Sequence, residues 1–136
     1  MELTTALLCD SAQVREGLLF VLGGGITRVR RTEYPALFGA ALAAVIELDT
    51  IEAERRRTFE LVVVGEDGQE VARVAAEIQV GPRGHLQPGE RILVPLAVDL
   101  HGVVLTAPGA YELRVYLDGE LRRTTQFWAV RADEPG

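Results

Sequence analysis

Two Asp-Gly pairs, Asp67-Gly68 and Asp118-Gly119, each stand between runs that alternate apolar and polar residues, and nothing else in the chain restricts its fold so tightly. Period-two alternation puts successive side chains on opposite faces of an extended strand, and Asp-Gly supplies the positive φ values that a two-residue hairpin turn needs. The first pair predicts a hairpin from residues 59–64 and 71–80. The second predicts one from 111–117 and 121–130, with Tyr111, Leu113, Val115 and Leu117 pointing inward and Phe127 and Trp128 near the end of the return strand.

Strand signals continue through the chain. Residues 2–9 are apolar on both faces toward their end, which predicts an interior strand. Residues 10–17 read as a connection, with Asp10 capping a short helical turn and Gly17 as a left-handed terminator. Residues 18–22 and 26–31 alternate on either side of Gly23-Gly24-Gly25, with Arg28 and Arg30 on one side of the second run. Segment 37–48 has two readings. Its alanines suit a helix with Leu37, Ala41, Ala44 and Leu48 along one stripe, whereas Phe38, Ala40, Leu42, Ala44, Ile46 and Leu48 keep period two without a gap. The strand is the preferred reading. Acids at Glu52 and Glu54 before Arg55, Arg56 and Arg57 suit one or two helical turns. Residues 81–89 form a long Gly/Pro loop, and 92–100 give the most regular alternation, with Pro95 on the opposite phase as the mark of an edge or a bulge.

These runs predict an all-β fold: a single antiparallel β-sandwich, immunoglobulin-like, of about seven to nine strands with at most one or two short helical turns. One domain should span residues 1–136, with 131–136 a frayed polar tail. A chain of 136 residues, 48% hydrophobic, can bury a core without covalent staples.

Composition narrows the function classes. The formal charge of −6 argues against the basic face that nucleic acid requires, so no nucleic-acid partner is expected. All 14 basic residues are Arg, and a bias against Lys and Asn codons explains this better than selection for anion recognition. A single cysteine, Cys9, closes no internal disulfide and suits a reducing compartment. No run approaches the ~20 apolar residues of a membrane helix and no leader pattern opens the chain, so a cytoplasmic protein without a membrane partner is the expectation.

The run Leu7-Leu8-Cys9-Asp10-Ser11-Ala12, followed by Gly17-Leu18-Leu19-Phe20-Val21-Leu22-Gly23-Gly24-Gly25, resembles the start of a family of uncharacterised bacterial domains of similar length. Pro108-Gly109-Ala110-Tyr111-Glu112-Leu113-Arg114-Val115-Tyr116-Leu117-Asp118-Gly119 is similar to the last hairpin of many immunoglobulin-like sandwiches. The resemblance implies the fold and transfers no activity.

Chemical motifs are sparse. A phosphate cradle needs a helix directly after its glycines, yet Gly23-Gly24-Gly25 leads into strand-like Ile-Thr-Arg-Val-Arg-Arg. The glycines therefore read as a bend, and Gly24→Val is expected to act through backbone strain. His85 and His101 stand apart, and Cys9 has no second cysteine, so neither a metal nor a cofactor is expected. The only serine, Ser11, lacks a nucleophile elbow, and Glu52 with Glu54, or Asp133 with Glu134, read as solvated acids. No catalytic residue is assigned. Arg28, Arg30 and Arg31 as a small anion-binding edge, and Tyr116 with Trp128 as an aromatic patch, are the candidate partner-facing residues, though edge protection and closure of the sandwich explain each of them better. The leading expectation is a non-enzymatic interaction module that binds a protein partner or its own copy through an exposed sheet edge or face. The alternative is a small-ligand module with a pocket between the 81–89 loop and the turn near Gly23. A hydrolase or transferase comes third, and requires Cys9, Asp10 and a histidine to converge in a cleft.

Overall fold

The computed structural model describes residues 1–81 and 84–132. Twelve strands follow one another: β1 (Glu2–Cys9), β2 (Ser11–Arg15), β3 (Leu18–Leu22), β4 (Arg28–Arg31), β5 (Ala36–Leu37), β6 (Ala41–Leu48), β7 (Arg57–Val64), β8 (Glu70–Ile78), β9 (Ile92–Asp99), β10 (Val104–Leu105), β11 (Gly109–Leu117) and β12 (Glu120–Arg131). The one helical element among the described residues is a 3-10 turn at Glu52–Glu54, where the acid-then-base pattern predicts it. The all-β class therefore holds, and its subdivision differs from expectation. In place of one sandwich of seven to nine strands there are a three-stranded sheet β1-β6-β9, a five-stranded sheet β4-β12-β11-β7-β8 and two two-stranded pieces, β2-β3 and β5-β10.

The five-stranded sheet is not purely antiparallel, because β4 pairs parallel to β12, with Trp128 beside Arg28 and Val130 beside Arg30. The chain between β3 and β4 carries it from the β2–β3 hairpin to an edge of the five-stranded sheet. Pro95 lies on β9, an outer strand of its sheet, where a missing N–H costs no ladder bond.

Alternation decides which face each strand buries. Leu42, Ala44, Ile46 and Leu48 of β6, Phe59, Leu61 and Val63 of β7, Leu113, Val115 and Leu117 of β11 and Phe127 of β12 share one core. Phe127 stacks on Phe38 at 4.6 Å and on Tyr111 at 5.3 Å between ring centroids. Each such side chain contributes about 1.5–3 kcal/mol by leaving water, which outweighs the helix preference of the alanines in 37–48. Segment 41–48 pairs with β1 on one side and β9 on the other, so the strand reading stands. Its alanines have a separate cause. Ala41 and Ala43 face away from the main core, and with Cys9 they pack under Ala12, Leu19 and Val21 of the β2–β3 hairpin. Small side chains there let a second layer of backbone come close.

The connection expected at 10–17 is that hairpin. Glu16 and Gly17 take φ of 52° and 75°, both left-handed, and close it with a tight turn. Asp118 and Gly119 do the same for β11–β12, with φ of 49° and 80°. Asp67-Gly68 behaves otherwise, inside a longer loop where the Asp67 carboxylate accepts from the Gln69 N–H and Gly65 N–H donates to the Gln69 carbonyl. Residues 82–83 of the 81–89 loop and 133–136 of the expected tail, with Asp133 and Glu134, lie outside the described residues.

Candidate interaction surface

The β2–β3 hairpin has one face packed and one face open. Register pairs Ser11 with Leu22, Gln13 with Phe20 and Arg15 with Leu18 on the open face, and Ala12 with Val21 on the packed one. Leu18, Phe20 and Leu22 are consequently 63%, 49% and 68% exposed, three large apolar side chains in a row on one strand. Singly exposed hydrophobics need no explanation, whereas an aligned row of three is a candidate contact surface. A shallow depression of about 430 Å³ lies along it, lined by Ser11, Gln13, Phe20 and Leu22. Beyond β2, no strand among the described residues pairs with β3.

The base of the hairpin is fastened at Asp10. Its N–H donates to the carbonyls of Leu22 at 3.0 Å and Gly23 at 3.2 Å, while Gly25 and Ile26 N–H groups donate to the Leu8 carbonyl at 2.8 and 3.1 Å. His101, just after β9, reaches the same corner. Its Nε2 lies 2.7 Å from the Asp10 carbonyl oxygen and its Nδ1 2.5 Å from Asp99 Oδ1. These two hydrogen bonds, Asp99 first, raise the imidazole above its ordinary value.

The glycines thus close a bend. Gly23, at φ +63°, sits where any Cβ would lie 2.9 Å from the Asp10 Cβ. Gly24 has no left-handed φ, and a Cβ there would meet the tip of Leu7 at 2.7 Å. The strain expected of Gly24→Val is therefore side-chain crowding.

The other candidates fall in separate places. Arg28 and Arg30 are exposed on β4, with Arg28 in register with Trp128, which is 46% exposed. Arg31 turns away from any partner-facing edge: its Nε and Nη2 donate to the carbonyls of Leu37 and Phe38, and Nη1 to that of Arg30. Tyr116 shares the outward face with Trp128 but lies six residues along β11 from Ala110, the register partner of Trp128, a separation of roughly 20 Å. The two aromatics do not form one patch, and the Glu112–Arg114 ion pair stands between them. Leu18, Phe20 and Leu22 are absent from that sequence-derived set, because alternation in residues 18–22 does not say which face of the strand is covered. The signal was Glu16-Gly17, a turn pair with a strand on each side.

Among the described residues the two parts of the expected loop pocket lie far apart. Gly81 and Leu86 lie against Thr50, Ala53 and Ile92 at one end of β6, and Gly23 lies at Asp10 beyond the other, roughly 23 Å away for an eight-residue strand. Of the three groups a nucleophile would need, His101 reaches Asp10, but the Cys9 thiol is fully buried with Sγ directed at the Ala41 carbonyl. Burial, then the Asp10 carboxylate, pushes that thiol above its ordinary value. Among the described residues no cluster of His, Cys, Asp or Glu has metal-binding geometry. No helix among them is long and apolar enough to cross a membrane.

Architecture and surface together define an all-β domain with an exposed apolar hairpin face. The chain belongs to DUF6941, a family of unknown function, whose profile matches residues 4–130. No curated protein sequence matches it. Among solved structures it is similar to the Pseudomonas fluorescens alkylpurine DNA glycosylase AlkC bound to DNA containing an abasic site analog, at 14% identity and a TM-score of 0.42. That similarity covers 76% of this chain and only 27% of the other, and at this level it carries no functional argument.

Proposed function

We propose that this protein is a non-enzymatic interaction module that associates with a second copy of itself through the free edge and open face of β3. What carries the reading is the row Leu18, Phe20 and Leu22, together with the self-complementarity of the strand that bears it. An antiparallel pairing of β3 with its own copy, centred on Phe20, sets Phe20 against Phe20 and Leu18 against Leu22 on one face. Leu19 meets Val21 on the other. Every position opposes apolar to apolar, and the two hairpins become one four-stranded sheet with no like charges facing each other. Three large side chains per copy make a small interface, so the association belongs to the weak, reversible class. A net charge of −6 disfavours nucleic acid as a partner, and the single sealed thiol suits a reducing setting such as the cytoplasm.

The register gives a direct test. A residue on the two-fold axis of an antiparallel pair has its own copy about 4.5–5.5 Å away between Cα atoms, inside the range a disulfide spans. In a Cys9→Ala background, Phe20→Cys is expected to cross-link rapidly into a covalent dimer on mild oxidation. Leu22→Cys, which opposes Leu18, stays largely uncross-linked. Equal cross-linking at both positions, or none at position 20, contradicts the pairing.

A further inference from the structure

We infer that His101 acts as an imidazolium clamp, holding the base of the β2–β3 hairpin against the end of β9 through a pair of hydrogen bonds that only the doubly protonated ring can make. Both ring nitrogens face acceptors: the Asp99 carboxylate at Nδ1 and the Asp10 backbone carbonyl at Nε2. A neutral imidazole carries one N–H, so one nitrogen would then point a lone pair at an oxygen. The ring is thus asked for two protons by the position of its neighbours. The Asp10 and Asp99 carboxylates are the charged groups that act on it, both negative, and they favour the same state.

The clamp sits where it controls the hairpin. Asp10 is the corner between β1 and β2, and its N–H already holds Leu22 and Gly23. The packed face of the hairpin offers little else, since Ala12, Leu19 and Val21 rest on Cys9 and two alanines. A third tie at the Asp10 carbonyl, from the turn after β9, fixes how the hairpin lies across β6 and β9. A histidine raised on folding stabilises the clamped arrangement fully below its unfolded value near 6.5. That contribution fades as pH rises through the higher folded value. Asp99 is lowered by the His101 backbone N–H and then by the ring, so it stays charged across this window. His101 is 44% exposed at its side chain, and solvent keeps the effect modest. The inference does not need the association of two copies: its readout is motion of the hairpin within one chain.

Hydrogen exchange of the intact protein, followed by mass spectrometry at about pH 5.5 and about pH 8.5 and corrected for intrinsic rates, reads it out. Protection of the amides in 11–22, relative to those of β11, is expected to fall roughly two- to fivefold at the higher pH, the range an exposed ion pair allows. His101→Gln is expected to give the low protection at both. Proton NMR of the imidazole, assigned with His85→Gln, should place the His101 midpoint above 6.5. A His101 midpoint at or below that value, or the same pH dependence in His101→Gln as in the natural chain, overturns the inference. If exchange is insensitive to pH in both proteins, the ring does not hold the hairpin and the inference also fails.

Discussion

A methyl group on residue 23 would press on the Cβ of Asp10 at 2.9 Å, from a backbone that already has a left-handed φ. Strain and contact add, so Gly23→Ala is expected to lower stability by about 1–3 kcal/mol, measured by urea unfolding. At position 24 the obstacle is the end of the Leu7 side chain, which can swing aside, and Gly24→Ala should cost less. A larger loss at 24 than at 23 would show that the bend is held differently. Residue identity alone signalled that the triple glycine bends the chain, because a strand pattern follows it. It could not say which glycine is indispensable, since that depends on Asp10, thirteen residues earlier. Arg31 shows the limit more clearly. Three arginines in four residues look alike in a sequence, and only the path of residues 34–38 decides that one of them ends up holding carbonyl groups.

At the scale of elements, the turn at Asp118 joins two sheet strands to a third. Its carboxylate accepts from the Thr58 N–H at 2.9 Å and pairs with Arg57, and these contacts, the N–H first, hold it below the ordinary carboxylate range. A lowered acid stabilises above its unfolded value near 3.8, and the contribution is lost as pH falls through the folded one. Asp118→Asn keeps the left-handed turn and is expected to remove part of the acid sensitivity between about pH 5 and pH 2, read as a smaller drop in melting temperature on acidification. An unchanged acid profile would contradict the assignment. The strands that alternate most cleanly, β9 and β11, were legible because burial on one face writes itself into period two. The β2–β3 hairpin was not. Ser-Ala-Gln-Val-Arg has too few apolar residues to announce a strand, since only Ala12 packs on the neighbouring sheet, where alanines line the contact, and Val14 stays exposed. Likewise Asp67-Gly68 looks identical to Asp118-Gly119 in sequence, and the Gln69 N–H donating to the Asp67 carboxylate goes with a wider loop.

For the whole molecule, the count and pairing of sheets lay beyond sequence reading, because long-range partners such as β4 and β12 are set by how the chain crosses between layers. The surface that matters most was hidden for a related reason: Leu18, Phe20 and Leu22 look like core until the other face of the same hairpin is seen to be the packed one. The proposed association through this row carries no charge contact, while each copy has a formal charge of −6. Raising salt from about 0.02 M to about 0.5 M should therefore tighten the dimer by screening repulsion between the copies, in contrast to a contact built on ion pairs. Weakening in salt, followed by light scattering, would point to an electrostatic surface elsewhere. The most direct test of the central claim is sedimentation equilibrium of the natural chain and of Phe20→Arg over a wide concentration range. The account predicts reversible dimerisation of the natural chain and a monomer at every concentration for Phe20→Arg, with its melting temperature in dilute solution little changed. A natural chain that stays monomeric throughout, or a Phe20→Arg variant that dimerises equally well, would contradict it.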